Sequence, residues 1–567
     1  MSEIPKDSQE TFGLTKKELA LYIGVPVTAL CVAGLAYYYL TKGSSAIEET
    51  TDETETSKQD ATTKADSDEA AAEKTPEQLA QSAKLKGNKY FKGGKYDSAI
   101  ECYTEAITLC PKEKSDDIAT FYQNRAAAHE KMKNWQEVID DCTQAIKLMP
   151  KYTKALARRA RANDNVGKKI DCLEDVTAVC LLEGFQNQEF MIMADRILKE
   201  VGKELAAKYI KERKPTLPSS FFVKSYLDSF STDVFSINLE DKPEETESTP
   251  YLMAINDLSD KKYDDIINLC TEEIEKDGVF KVKAALLRGT MYTLESSVDK
   301  AMADFERVVS TGDEPAFSKL VSNALIKRAS LKMQQAKDAE CFDDFERAVN
   351  VDKDNADVYH HRGQLYFLTE KLEEAKKDFE KAIALNESFV APRLQLGYCL
   401  CKLAMKMFSA GMMQDANKLL EQTTKKFPES AEAWSLYGQL LQDQQQFQEA
   451  EDKLEKAIDL QPQNPTSYVY KALLCLQWKR DFEAANQLIR KAIAIDDKCD
   501  FAYETLATLE VQRGNSEEAI KLFNKAIDLV RTEAEMAQTF SLLEAAKAQS
   551  KATKNLGITL PLQGAAF

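Results

Sequence analysis

The sequence predicts an all-α solenoid, in which helix–turn–helix units stack one after another, preceded by a single membrane-spanning helix. Three observations support this fold class. At 567 residues the chain is too long for one compact core. A pattern of small and aromatic residues recurs with a period of about 34 residues. Near the start, residues 19–40 form an apolar run without a charged side chain.

The repeated pattern has small residues at fixed positions, bulky residues between them and a proline near the end. The copy that starts at Ala80 has it at Gly87, Tyr90, Ala99, Tyr103, Ala106 and Pro111. Small residues let two antiparallel helices approach closely, and proline ends the second helix. The pattern is that of tetratricopeptide (TPR) repeats, which form a superhelical solenoid, and it occurs about eleven times. A coiled coil is a poorer interpretation because the small residues do not follow a heptad.

The copies fall into two groups, separated by a stretch in which the pattern is lost. We predict an N-terminal TPR array over residues 80–214, a connecting helix and linker over 215–248, and a larger C-terminal array over 249–567. The linker begins with aromatic residues, which should pack on a neighbouring helix. It ends in a stretch rich in Pro, Glu and Thr, which should be flexible.

The apolar run over residues 19–40 would span roughly 33 Å as a helix, enough to cross a bilayer. A cleaved signal peptide fits less well because the run is too long and starts late. Residues 1–18 would form a short tail, and the acidic residues 43–76 a disordered tether. The 12 cysteines include no C-x-x-C pair, which is typical of a reducing compartment. The C-terminal bulk is therefore predicted to face the cytosol.

Composition and motifs argue against several functions. The formal net charge of −18, without a long basic run, disfavours nucleic acid as a partner. No zinc-protease, P-loop, hydrolase or kinase motif is present, which predicts a protein that is not an enzyme and needs no cofactor. His360 and His361 lie near Asp357, but neighbouring helical residues point about 100° apart, so we predict no metal site.

Polar residues recur in the N-terminal array where first helices would face the concave groove. They are Lys84, Asn88, Asn124, Lys154 and Arg158. Lys84 and Asn88 are four residues apart and so share one helical face. Stacked repeats would bring three cations and two amides together, which suits a peptide with two carboxylates. The set resembles the two-carboxylate clamp of TPR co-chaperones, which hold the acidic C-terminal tails (Glu-Glu-Val-Asp type) of cytosolic heat-shock chaperones.

The corresponding groove positions of the last five repeats carry no Lys or Arg. They offer apolar and amide surface with acidic spots, suited to an apolar and slightly basic segment. As candidate groove residues we take His361, Gln364, Gln395, Gln439, Tyr470 and Glu504.

The order of anchor, acidic tether, clamp-bearing array and larger second array resembles one family, the 70-kilodalton TPR import receptor of the mitochondrial outer-membrane translocase. The stretches NADVYHHRGQLYF (355–367), LQDQQQF (441–447) and AEMAQTFSLLEAAKAQ (534–549) are similar to its animal members.

The resemblance implies a single-pass receptor of the mitochondrial outer membrane. Its clamp would hold the tails of chaperones of the 70 and 90 kilodalton classes. Its second array would bind internal signals of hydrophobic precursors, notably carrier proteins, for transfer to other translocase subunits. The alternative is a membrane-anchored TPR chaperone adaptor or scaffold on another organelle.

Overall fold

The computed structural model describes residues 75–236, 249–312, 315–335, 337–407 and 409–558. The predicted anchor over residues 19–40 and nearly all of the predicted tether lie outside these residues. Within them, no helix is both long and apolar enough to cross a membrane. The described residues form 25 α-helices and short 3-10 and π turns, and they contain no β-strand. The prediction of an all-helical chain is therefore confirmed for this part.

The described residues divide into two units. The amino-terminal unit comprises residues 75–204 and 541–558, and the carboxy-terminal unit comprises the described residues between 205 and 540. The amino-terminal unit begins with three helix pairs: α1 (Pro76–Lys92) with α2 (Tyr96–Leu109), α3 (Ser115–Lys131) with α4 (Trp135–Leu148), and α5 (Thr153–Asn165) with α6 (Lys169–Leu182). The long α7 (Gln188–Glu212) follows and contains residues of both units.

The carboxy-terminal unit contains the short α8 (Ser220–Asp228) and then eight helix pairs. The pairs are α9 (Pro250–Ser259) and α10 (Ile266–Glu275), α11 (Lys281–Leu294) and α12 (Val298–Val309), α13 (Ser318–Gln334) and α14 (Asp338–Val351), α15 (Ala356–Leu368) and α16 (Leu372–Leu385), α17 (Ala391–Lys406) and α18 (Ala410–Lys426), α19 (Ala431–Asp443) and α20 (Phe447–Leu460), α21 (Pro465–Leu474) and α22 (Phe482–Ile495), and α23 (Asp500–Gln512) and α24 (Ser516–Leu529). The last helix is α25 (Glu533–Leu556), which contains residues of both units.

Glycine at one position of the first helix lets the second helix approach. A Cβ added to Gly363 would lie 2.8 Å from Cε1 of Phe379, which is fully buried on α16. A Cβ on Gly87 would lie 2.7 Å from Cε1 of Tyr103 on α2. Both distances are shorter than an ordinary carbon contact of about 3.5 Å. At these two positions the small residue therefore allows the close approach of antiparallel helices that the pattern predicts.

A periodic ion pair also joins the two helices of many pairs. An arginine on the first helix binds, through two nitrogens, an aspartate sixteen residues later on the second helix. Charge-assisted contacts with two parallel bonds fix geometry better than single ones. Five pairs share the contact: Arg125–Asp141, Arg159–Asp175, Arg288–Asp304, Arg328–Asp344 and Arg362–Asp378.

The first helices line the inner face of each unit. In the amino-terminal unit α3 contacts α5, and in the carboxy-terminal unit each first helix from α11 to α21 contacts the first helix of the next pair. Among the described residues, second helices lack comparable contacts with one another. Such a stack curves with its first helices inside, so a ligand groove would be lined by them.

The cysteines take part in this packing. All eleven cysteines of the described residues are buried and form no disulfide. Burial raises the pKa of the thiols of Cys142 and Cys270 to about 12. They therefore act as small apolar residues between helices.

Candidate functional site

All five predicted clamp residues lie on first helices of the amino-terminal unit. Lys84 and Asn88 lie on α1, Asn124 on α3, and Lys154 and Arg158 on α5. Lys154 is exposed, whereas the other four are partly buried. The set therefore combines an outer cation with more enclosed groups.

Of the three first helices, the middle one, α3, is contacted by clamp residues of both α1 and α5. The ammonium of Lys84 lies 5.8 Å from the centre of the Phe121 ring on α3. On the other side, Nη1 of Arg158 donates to the backbone carbonyl of Gln123, at 3.3 Å. Asn124 follows Gln123 directly. The structure thus brings α1 and α5 to the part of α3 that carries Asn124.

A tyrosine that the sequence did not link to the clamp orients Asn88. Its hydroxyl donates to Oδ1 of Asn88 at 2.8 Å. Burial raises the pKa of this residue, Tyr103, to about 12, so the hydroxyl keeps its proton. Because Oδ1 is engaged, Asn88 presents its amide N–H groups as donors, which is what a carboxylate ligand requires.

Arg158 already has an acidic partner. Its Nε donates to Oε2 of Glu130 at 2.8 Å, and both side chains are mostly buried, with exposed fractions of 18% and 24%. Sequence reasoning missed Glu130. A ligand carboxylate must therefore share Arg158 with Glu130 or displace it.

The arginine–aspartate pairs also mark the groove positions. Asn124 and Arg158 each come directly before a paired arginine, Arg125 and Arg159. In the carboxy-terminal unit, His361 has the same place relative to its paired arginine. The position directly before the paired arginine therefore holds a predicted site residue in both units, in the clamp and in the groove.

The six predicted groove residues of the carboxy-terminal unit also lie on first helices. They are His361 and Gln364 on α15, Gln395 on α17, Gln439 on α19, Tyr470 on α21 and Glu504 on α23. All but the partly buried Glu504 are buried.

Two of these amides have unused hydrogen-bonding groups. Nε2 of Gln395 and both polar atoms of the Gln439 side chain have no partner among the described residues. The hydroxyls of Ser435 and Ser467, on α19 and α21, also have no hydrogen-bonding partner among the described residues. Buried polar groups are normally paired, so this stripe has the capacity to bind a polar ligand group such as a peptide backbone.

His361 lies against another part of its own chain. Its ring centre is 4.5 Å from that of Phe230, and its Nδ1 lies 3.0 Å from Oε1 of Gln364. Burial lowers the pKa of His361 to about 4 and that of His360 well below its ordinary value. Both imidazoles are therefore neutral near pH 7. No cluster of metal-binding side chains is found in the part of the chain that the structure describes.

At the far end of the groove, Glu504 accepts a hydrogen bond from the hydroxyl of Thr539 at 3.3 Å. Burial, with the nearby Asp500 carboxyl, raises the pKa of Glu504 to about 7. The ring of Tyr470 lies 5.7 Å from that of Phe501. This end is aromatic and weakly acidic.

Lys327 on α13 is a groove residue that sequence reasoning missed, because only the last five repeats were compared. It precedes the paired Arg328 and is 1% exposed. Burial lowers its pKa to about 7, and Asp357 opposes this shift. Its position directly before a paired arginine could have identified Lys327 as a groove residue from the sequence.

Stacked helix pairs, with a cation-and-amide cluster on the inner face of one unit and polar side chains on that of the other, define a TPR solenoid protein. The tetratricopeptide repeat family matches residues 80–113, 356–389, 408–465 and 438–498.

The chain is similar along most of its length to receptors of known name. It is 49% identical to the human mitochondrial import receptor subunit TOM70 over 85% of this chain and 81% of that protein. The relative of the same name from Saccharomyces cerevisiae is 27% identical over 84% of this chain and 81% of its own length. A crystal structure of yeast Tom70 covers 83% of this chain and 96% of that one, with 27% identity and a TM-score of 0.49. The chain belongs to the TOM70 family of mitochondrial import receptor subunits, and the resemblance inferred from its sequence is confirmed.

Proposed function

We propose that this chain is a mitochondrial import receptor that holds the acidic C-terminal tails of cytosolic chaperones in the amino-terminal unit and hydrophobic precursors in the carboxy-terminal unit. The observation that carries the proposal is the approach of Lys84 and Arg158 to α3 from its two sides, next to Asn124. Family membership supplies the context, since the relatives are named as import receptors. Transfer to other translocase subunits follows from the same context.

The clamp matches the chemistry of a tail that ends in two carboxylates. Lys154 is exposed to meet a ligand, Asn88 presents amide donors, and Arg158 is largely enclosed. Enclosed charge-assisted hydrogen bonds are the stronger ones. Chaperones of the 70 and 90 kilodalton classes, with tails of the Glu-Glu-Val-Asp type, are the proposed partners.

The groove of the carboxy-terminal unit suits a different ligand. Its imidazoles are neutral, its amides at Gln395 and Gln439 have unused polar atoms, and its far end at Glu504 is weakly acidic. A precursor segment that is apolar, with main-chain polar groups to pair, fits this surface. Carrier-type precursors are the proposed cargo.

We further propose that residues 19–40 anchor the chain once in the mitochondrial outer membrane, with its C-terminal bulk in the cytosol. The domain division into 80–214, 215–248 and 249–567 remains part of the same proposal. Neither a cofactor nor nucleic acid has a role in it.

The test is a titration of the full-length chain in mild detergent with a fluorescent peptide ending in Glu-Glu-Val-Asp, followed by anisotropy. Arg158→Ala should weaken binding by about 2 kcal/mol, roughly thirtyfold, because it removes an enclosed charge partner. The matched control is Lys147→Ala, which removes one exposed cation from the second helix α4. Equal loss in both variants would mean that only net charge matters, and no loss in either would refute the clamp.

A further inference from the structure

Residues 229–236, which follow α8, lie on the first helices of successive pairs in the carboxy-terminal unit. We call them the internal segment. The hydroxyl of Tyr251 on α9 donates to the carbonyl of Phe235 at 2.9 Å. The ammonium of Lys283 on α11 donates to the carbonyl of Ser236, also at 2.9 Å. The segment therefore runs along the inner face, where a ligand would lie.

Farther along, α15 binds the main chain of the internal segment. The carboxylate of Asp357 accepts hydrogen bonds from the backbone N–H groups of Ser231 and Thr232, at 2.7 and 3.1 Å. Asp357 is only 1% exposed. Ser231 and Thr232 lie in a bend, so their successive N–H groups can point to one anion. Asp357 therefore recognises a bend of the main chain, whatever its side chains are.

The aromatic residues of the internal segment cover the groove side chains. The ammonium of Lys327 lies 4.8 Å from the ring centre of Phe230 and 5.0 Å from that of Phe235. The Phe230 ring also lies on His361. Lys327 and His361 each precede a paired arginine, as Arg158 does in the clamp. The internal segment thus occupies the place where the amino-terminal unit would hold its ligand.

The fit of the internal segment leaves a polar atom of α13 without a partner. Oδ1 of Asn323, a residue that is 2% exposed, has no hydrogen-bonding partner among the described residues. A segment that served only as core would be expected to satisfy such groups or to meet apolar side chains. The groove therefore has binding capacity that its present occupant does not use.

From these contacts we infer that the internal segment is a built-in ligand that covers a precursor subsite formed by α9, α11, α13 and α15. A precursor segment that bends in the same way and has two large apolar side chains, spaced like Phe230 and Phe235, binds there by displacing it. This inference rests on the proposed function and adds its regulation. The apparent affinity for the precursor equals the intrinsic affinity multiplied by the fraction of time that the subsite is open. If the internal segment leaves the subsite about one tenth of the time, precursor binding is about tenfold weaker.

The first measurement uses the wild-type full-length chain in detergent. Hydrogen exchange of the internal segment is followed with and without a synthetic apolar segment of a carrier-type precursor. Binding should speed exchange at Ser231 and Thr232, since Asp357 then no longer accepts their N–H groups. Unchanged or slower exchange there, with the precursor segment bound, would overturn the inference and leave the proposed function intact.

The second measurement loosens the internal segment with the double substitution Phe230→Ala/Phe235→Ala. Affinity for the precursor segment should rise about tenfold. The control is Phe221→Ala, which removes a ring of α8 outside the internal segment and should leave affinity unchanged. A rise in the control as well, or none in the double variant, contradicts displacement. Circular dichroism of each variant verifies that it is folded.

A third probe separates this inference from the proposed function. A fluorescein-labelled copy of residues 229–236 should bind the double variant and not the wild type, and Asp357→Asn added to the double variant should weaken that binding. If the copy does not bind the double variant, the subsite is refuted. If the copy binds as expected but the precursor segment binds no form of the chain, the subsite stands and the proposed cargo is wrong.

Discussion

Replacing Gly363 by alanine tests the close packing of a glycine on an aromatic ring, which is also found at Gly87 and Gly289. The added Cβ would lie 2.8 and 2.9 Å from two ring carbons of Phe379 and 3.3 Å from Cβ of Asp378. The Phe379 ring is fully buried and cannot move aside cheaply. Alanine gains about 1 kcal/mol of helix propensity, whereas overpacking costs about 1–3 kcal/mol. We therefore expect a net loss of up to about 2 kcal/mol.

Gly411→Ala is the matched control, because the same substitution occurs there in a helix without crowding. The nearest atom to its added Cβ is Oγ of Ser409, 4.0 Å away. This variant should gain about 0.4–1 kcal/mol. The assay is thermal unfolding by circular dichroism, read mainly for the sign of the midpoint shift because a repeat array need not unfold in one step. A higher midpoint for both variants would refute the packing argument at Gly363.

Three further outcomes are expected. The pKa of Glu504 is about 7 in the folded chain, above its ordinary value of 4.5. Its contribution to the free energy of unfolding is therefore fully present below pH 4.5. That contribution falls by at most about 3 kcal/mol as the pH rises to 7. Glu504→Gln should therefore raise the thermal midpoint at pH 8 but not at pH 4. Asp378→Ala should destabilise by about 3–5 kcal/mol, because it leaves the Arg362 guanidinium partly buried and unpaired, and a stability loss no larger than that of an exposed aspartate variant would contradict this. Glu130→Gln should strengthen binding of an acidic tail by about 1 kcal/mol, roughly fivefold in anisotropy titrations, and weaker binding would mean that Glu130 positions Arg158.

The repeat architecture was predictable because its causes are local and repeated. A glycine followed sixteen residues later by an aromatic residue recurs along the chain, as at Gly87 with Tyr103. Each further copy strengthens the prediction of helix pairs. The arginine–aspartate pairs have the same spacing and could have been read from the sequence in the same way, as at Arg362 with Asp378. They would have revealed Lys327 as a groove residue.

The neighbours of the site residues were not predictable in this way. The pairing of Arg158 with Glu130 joins residues 28 positions apart on different repeats, and no periodic signal marks it. The internal segment is not repetitive, so its aromatic residues indicated only that it packs somewhere. Its contact with Asp357 spans 126 positions and depends on the path of the chain through three dimensions.

The burial of the cysteines gives the receptor a chemical property of its own. A thiol such as that of Cys142, with a pKa of about 12, forms almost no thiolate near neutral pH, and thiolate is the species that peroxides and maleimides attack. Oxidants released by respiring mitochondria should therefore leave these residues unmodified while the fold is intact. Because the cysteines of the described residues are this unreactive, a single reporter cysteine placed at an exposed position outside the clamp, such as Lys147, should be labelled in preference to them.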